Sequence, residues 1–236
     1  MSPSAHKADL RLDGYRAASS TVEEDFHHRI VADEDMLTAL AEHHSADARH
    51  SFHVLHDQTA TWGIPGEPQI IALRISRDPG ARTFTFEHVT LPLPAMAQSW
   101  LVSRGCPREE IRLPPGIGTA PADEATTALQ DRLVGDGDCF ALIDSYTDAD
   151  TARPRITVLL RALDSKDPHP FRVLVEEADL AKYTHTLREG RFTTYVAAVS
   201  YYDDPDSVRQ KQPTTHLPQR AVPAPPTTGP ASPRRR

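Results

Sequence analysis

The sequence predicts an α+β protein made of two tandem α-β-β-β-α units, between a disordered N-terminus and a Pro/Arg-rich C-terminal tail. Apolar stripes with helical spacing alternate with short runs that have strand spacing. The order of these segments recurs after 87 to 89 residues, which suggests a pseudo-duplication. The predicted organisation is a flexible N-terminus (1–20), a first α+β unit (21–106), a Pro/Gly-rich linker (107–121), a second α+β unit (122–206) and a disordered basic tail (207–236).

The first unit is predicted to open with a helix capped by Asp33 and to close with a helix that begins at Pro94. Strand-forming residues and an Asp-Pro-Gly turn between the two helices indicate one strand followed by a hairpin. In order, the predicted elements are a helix at Asp33–His44, a strand at Ser51–Asp57, hairpin strands at Ile70–Ser76 and Arg82–Val89, and the closing helix.

The second unit repeats this order and adds an insert before its closing helix. Its predicted elements are a helix at Ala122–Val134, a strand at Cys139–Tyr146, hairpin strands at Arg155–Leu163 and Phe171–Glu176, an insert at Glu177–Gly190 and a helix at Thr194–Tyr202. A shift of 87 residues carries Ile71, Leu73, Arg74 and Phe84 onto Val158, Leu160, Arg161 and Phe171. Because side chains alternate between the faces of a strand, this shift maps inward residues onto inward residues.

The alternative to a duplication is a pair of unrelated α+β halves. If the duplication is real, each unit has a three-stranded sheet with helices on one face, and the two units gain stability by packing together. Ligands favour the interfaces between such units, so the sequence predicts a ligand or partner at the seam.

Composition points to a soluble cytoplasmic protein from a GC-rich bacterium. The chain has no asparagine and only four lysines against 22 arginines, and its two cysteines are too few for a disulfide scaffold. Its longest apolar runs are far shorter than a membrane span, so no membrane partner is expected.

Charge is unevenly distributed along the chain. Residues 1–206 contain 20 basic and 33 acidic residues, a net charge of −13, whereas residues 207–236 carry six basic residues and no acidic one. An acidic body argues against a nucleic-acid-binding face on the folded part.

Histidines cluster in the first unit and supply the one candidate metal site. His50, His53, His56 and Asp57 have the ligand types that zinc prefers. On a strand, however, His50 and His56 share one face and His53 lies on the other, so convergence requires a bend. Solvated histidines without a cofactor are the alternative.

A second polar cluster, Asp144, Asp148 and Asp150, is predicted to form an acidic loop between strands. This loop lacks the glycine and the glutamate of an EF-hand.

The tail offers two partner-binding patterns. Arg220, Pro223 and Pro226 fit a polyproline ligand with an arginine anchor. The terminal Arg234, Arg235 and Arg236 can contact phosphates, which would give a weak and salt-sensitive association with nucleic acid.

Function is predicted from the acidic two-unit body, the basic tail and the absence of GxSxG, HExxH and P-loop patterns. These features favour a non-enzymatic protein-interaction or adaptor module, with no catalytic residue assigned. The alternatives are a metal-binding protein or metal-dependent enzyme that uses the histidine cluster, and nucleic-acid association through the tail. The element order is similar to that of double-stranded RNA-binding modules and of acidic bacterial secretion chaperones, which bind other proteins; the acidic body argues against the former.

Overall fold

A computed structural model describes residues 6–60, 64–148 and 153–206 of the chain. The α+β class and the two tandem units are confirmed: each unit contains one five-stranded sheet with helices packed against it. The number of strands in each unit differs from the prediction.

The first unit contains, in order, β1 (Arg16–Ala17), α1 (Ser20–Phe26), a π-helical turn (His27–Val31), a 3-10 turn (Glu34–Met36), β2 (Leu37–His44), β3 (His50–Asp57), β4 (Ile70–Asp78), β5 (Thr83–Leu91) and α2 (Pro94–Ser103). After a 3-10 turn at Arg108–Ile111, the second unit contains β6 (Ala120–Pro121), α3 (Glu124–Gly135), β7 (Phe140–Asp148), β8 (Arg155–Ala162), β9 (Phe171–Asp179), β10 (Thr184–Phe192) and α4 (Tyr195–Asp203). Side-chain caps at Ser19, Asp123 and Thr194 begin α1, α3 and α4.

The two sheets have the same topology. Their strand orders are β1-β5-β4-β3-β2 and β6-β10-β9-β8-β7, and the short first strand pairs in parallel with the last strand in both. Each outermost long strand carries a bulge, at Leu40 in β2 and at Ile143 in β7. The matched topology and the matched bulges support a duplication.

Two predicted elements were wrong, and they displaced the alignment of the repeat. The predicted helix at Asp33–His44 is mostly the strand β2, whose buried residues alternate. The predicted insert at Glu177–Gly190 contains most of the strand β10. When β2 and β10 are counted as strands, Ile70 of β4 corresponds to Phe171 of β9, so the repeat has an offset of 101 residues instead of 87. The shorter offset matched β4 to β8, because central strands buried on both faces have similar compositions.

The layers of the molecule run α1, first sheet, α2 with α3, second sheet, α4. One core cluster joins α2 to the first sheet. Another joins Leu93 and Ala95 to α3 and to β8–β10 of the second sheet. Because α2 lies between two sheets, it has no polar face, and its buried Gln98 donates a hydrogen bond of 2.7 Å to the carbonyl of Ile111. None of the helices in the described part of the chain has the length and apolar character needed to cross a membrane.

Candidate partner-binding groove

The free edge of the second sheet forms an open apolar groove. The edge strand β7 contributes Leu142, Ile143 and Tyr146, which are 37%, 40% and 50% exposed, and the facing loop contributes Ile64, which is 59% exposed. The groove has a volume of about 450 Å³, and its walls are residues 64–68 and 142–146. An exposed apolar edge strand presents unpaired backbone groups beside apolar side chains, which makes it a template for another strand.

The loop that forms the other wall is held against β7 by a glycine. The Thr147 amide donates a hydrogen bond of 3.0 Å to the Gly66 carbonyl. Gly66 has a φ of +89°, and a Cβ atom there would lie 2.5 Å from Cε2 of Tyr146. Glycine is therefore required both by the backbone conformation and by the contact with the ring. The bridge occupies β7 at Thr147 and leaves residues 142–146 facing the groove.

Acidic side chains surround the groove. Glu67 and Asp144 lie in its walls, and Asp148 ends the strand. Pairing with β8 places Asp144, Tyr146 and Asp148 on the face of the sheet that α4 covers. There, burial together with the nearby Asp144 carboxylate raises the pKa of the Tyr202 phenol, so its hydroxyl stays protonated beside Asp144. The rim therefore favours an occupant that carries positive charge.

The corresponding edge in the first unit is covered by the chain itself. Residues 6–12, the N-terminal strap, cross β2 near its bulge, and the Ala39 amide donates a hydrogen bond of 2.9 Å to the His6 carbonyl. Ala39 is only 1% exposed, whereas Leu142, its counterpart before the bulge of β7, is 37% exposed. Residues 1–20 were predicted to be flexible. In the structure, however, Leu10 and Leu12 pack on the core of the first unit.

Among the described residues, the segment that precedes β6 does not cross β7, because it packs elsewhere. The Arg108–Ile111 turn, which precedes β6, packs on β2 and β3 of the first unit, and Ile111 is fully buried in that core. A segment anchored there does not cover β7. The open edge therefore follows from how the duplicated units are joined.

Arg77 anchors the strap through a buried polar network. Arg77 is 6% exposed, and its guanidinium donates hydrogen bonds to the carbonyls of Leu10 and Arg11 and to the Ser51 hydroxyl. Ser51 accepts from Arg77 and is free to donate its own proton to Nδ1 of His44, 2.7 Å away. This arrangement requires neutral His44, and burial lowers the pKa of His44 to about 4. Glu42 is a further member of this network. His53, 3.6 Å from the Glu42 carboxylate, helps to lower the pKa of Glu42 to about 2.

We expect this network to make the protein less stable as the pH falls from 6.5 towards about 4. In this range His44 takes up a proton when unfolded and stays neutral when folded, so protons favour the unfolded state. Denaturant unfolding at about pH 7 and about pH 5 measures the change. The variant His44→Gln keeps an acceptor for the Ser51 hydroxyl and should lose less stability between the two pH values than the wild-type protein. An equal loss in both proteins would contradict the assignment.

The predicted metal ligands do not converge. On β3, His50 and His56 lie on the α2 face, while the fully buried His53 and the strand-terminal Asp57 lie on the α1 face. Burial lowers the pKa of His56. In residues 6–60, 64–148 and 153–206, no group of three or more His, Cys, Asp or Glu side chains is placed to hold a metal ion. The acidic loop prediction was wrong for Asp144 and Asp148, which belong to β7.

The seam between the units is filled by side chains. A cleft of only about 80 Å³ remains, with Met96, Trp100 and Phe140 among the residues that line it. The two aromatic rings are covered by the chain's own arginines, Trp100 by Arg104 at 3.6 Å and Phe140 by Arg172 at 3.9 Å. The edge groove is thus the larger site, and sequence reasoning did not identify it.

The tail residues singled out from sequence, Arg220, Pro223, Pro226, Arg234, Arg235 and Arg236, lie outside the described residues. Comparison of the chain with protein-family models, with characterised proteins and with solved structures found no match.

Proposed function

We propose that this protein is a non-enzymatic cytoplasmic interaction module that binds an extended segment of a partner protein in the groove of its second unit. The segment adds to β7 as a further strand and places apolar side chains against Leu142, Ile143 and Tyr146. The observation that supports this most directly is that the β7 edge is exposed while the equivalent edge of β2 is covered by residues of the same chain.

The dimensions and charge of the groove define the chemistry of the partner segment. Five residues of β7 line it, which corresponds to about 17 Å of extended chain. A segment of alternating apolar and basic residues would satisfy both the apolar wall and the acidic rim. The strap offers a precedent, since its Lys7 lies 3.3 Å from both Glu34 and Asp35 beside the covered edge.

Selection of binders from a displayed library of peptides of about a dozen residues tests this proposal. We expect selected peptides to be extended, apolar and basic, and to lose at least about tenfold in affinity, about 1.4 kcal/mol, for the variant Ile143→Asp. The matched control is Leu163→Asp, which introduces the same charge at an exposed apolar residue outside the groove and should leave affinity unchanged.

Hydrogen exchange identifies the mode of binding. A peptide that adds to β7 should slow exchange of amides in residues 142–146 and leave the edge of β2 unaffected. The proposal fails if the library yields no binder, or if selected peptides bind Ile143→Asp as tightly as Leu163→Asp.

A further inference from the structure

We infer that the exposed face of α4 is the contact surface of a two-fold dimer, in which α4 packs against α4 of a second copy of this chain. This surface is separate from the groove, whose walls are residues 64–68 and 142–146, so the dimer and the proposed function are tested independently. The internal repeat supports the assignment, because it gives α4 a counterpart whose equivalent face is covered.

The counterpart of α4 is α2. One offset of 101 residues relates β4 to β9, β5 to β10, and Pro94 at the start of α2 to Tyr195 at the start of α4. The same offset carries Ala97 onto Ala198, and both alanines are fully buried against the sheet of their own unit. The two helices therefore turn the same side towards their sheets.

The opposite side of α2 makes the contact between the units. Ala95 is buried in a core cluster with Leu129 and Leu133 of α3. The buried Ser99 hydroxyl donates a hydrogen bond of 3.4 Å to the carbonyl of Gly137, two residues after α3. Small side chains at these two positions of α2 allow the helices of the two units to approach closely.

In α4 the equivalent side is exposed and apolar. Val196 corresponds to Ala95 and is 74% exposed. Ser200 corresponds to Ser99 and is exposed as well. Beside them, the Tyr195 side chain is 50% exposed. The face that joins α2 to the other unit is thus repeated in α4, where it faces solvent.

The composition of α4 is that of a helix covered on both sides. Residues 195–202 contain no charged side chain. The outermost helix of the first unit, α1, differs in this respect, because its exposed side carries Glu23, Glu24 and Asp25. A helix without a polar face is normally buried all round, as α2 is, so α4 has the pattern of a helix with a further partner.

Charge favours a second copy of α4 as that partner. Packing of α4 on α1 of the next copy would repeat the α2–α3 contact and build an open filament, but α4 has no basic residue to pair with the carboxylates of α1. An uncharged face can instead contact its own copy around a two-fold axis. In an antiparallel pair, Asp203 at the C-terminal end of one helix lies near the N-terminal end of the other, where the helix dipole stabilises a negative charge.

The size of the contact sets the expected affinity. Nine residues form a helix about 14 Å long, so the interface is smaller than that of most permanent dimers. We therefore expect a dissociation constant on the order of 10 μM.

Sedimentation equilibrium of the full chain between about 1 and about 300 μM tests this dimer. In the wild-type protein the mass should rise from 26.1 kDa towards twice this value. The variant Val196→Glu should remain a monomer, because it brings two carboxylates together across the axis. The matched control is Val31→Glu, the same substitution at an exposed valine of the first unit, and it should dimerise like the wild-type protein.

Cross-linking tests the two-fold geometry. Ser200 lies near the middle of the exposed face, so in an isologous pair it lies near its own copy. With the exposed Cys139 replaced by serine, Ser200→Cys should give a covalent dimer with a short bismaleimide reagent. The control Glu24→Cys, in the same background, places its thiol on α1 and should give none.

A mass that stays at 26.1 kDa over the whole concentration range would overturn the inference, as would growth beyond a dimer. Dimerisation that persists in Val196→Glu would overturn it as well. If Ile143→Asp abolished the dimer and Val196→Glu did not, the contact would lie at the β7 edge instead of α4. Binding of groove-dependent peptides should be the same in Val196→Glu and Val31→Glu, so loss of the dimer leaves the proposed function open to its own test.

Discussion

Replacing Arg77 by alanine is expected to destabilise the protein by about 3 kcal/mol and to detach the N-terminal strap from the first sheet. Arg77 is 6% exposed, and its guanidinium donates hydrogen bonds to the backbone carbonyls of Leu10 and Arg11 and to the Ser51 hydroxyl. Alanine removes these donors and leaves the acceptors buried or forces them towards solvent. Denaturant unfolding measures the loss, and faster exchange of the Ala39 amide reports detachment of the strap.

The matched control is Arg49→Ala. Arg49 is exposed, and its ion pair with Asp47 is 3.8 Å long, so its loss should cost less than about 0.5 kcal/mol. If Arg77→Ala were as mild as this control, the strap would be held mainly by the apolar contacts of Leu10 and Leu12. If Arg77→Ala were destabilising but left the Ala39 amide protected, the guanidinium would stabilise the sheet without retaining the strap.

Replacing Leu93 by alanine should cost about 3 kcal/mol and weaken both units together. Leu93 caps α2 of the first unit, yet its side chain, 1% exposed, lies in a core cluster with Leu129 and Val158 of the second unit. Because α2 also packs on the first sheet, a cavity beside it removes contacts that the two units share. We therefore expect the most protected amides of β4 and of β9 to lose the same free energy in hydrogen exchange.

The matched control for this prediction is Leu180→Ala, at an exposed leucine after β9. It should change stability by less than about 0.5 kcal/mol. Loss of protection confined to β9 would show that the two units unfold independently and that the packed seam does not couple them.

The elements that the sequence predicted well have strong local signals. The β4–β5 hairpin follows from its Asp-Pro-Gly turn, and α2 from the proline at its first position. The β2 strand was misassigned because its Leu-Thr-Ala-Leu-Ala-Glu segment has high helix propensity, and pairing with β3 overrides that preference. The β10 strand was missed because charged residues and Gly190 interrupt its apolar alternation.

The groove could not be predicted for a different reason. Whether a strand lies at an edge depends on the order of strands in the sheet, and no local pattern in β7 distinguishes an edge strand from a central one. Leu142, Ile143 and Tyr146 had the same apolar character as core residues in the sequence. The same holds for the histidines: alternation correctly separated His53 from its neighbours on β3, but its proximity to Glu42 depends on pairing with β2.

The sequence by itself determined the α+β class, the presence of two tandem units, and the contrast between an acidic body and a basic tail. These properties depend on composition and on short-range periodicity, which are already present in the unfolded chain. Only the tertiary structure decided which sheet edge is covered and which is open. Coverage depends on contacts between residues distant in sequence: the strap reaches the first sheet, while the segment before the second sheet is held by Ile111 in the core of the first unit.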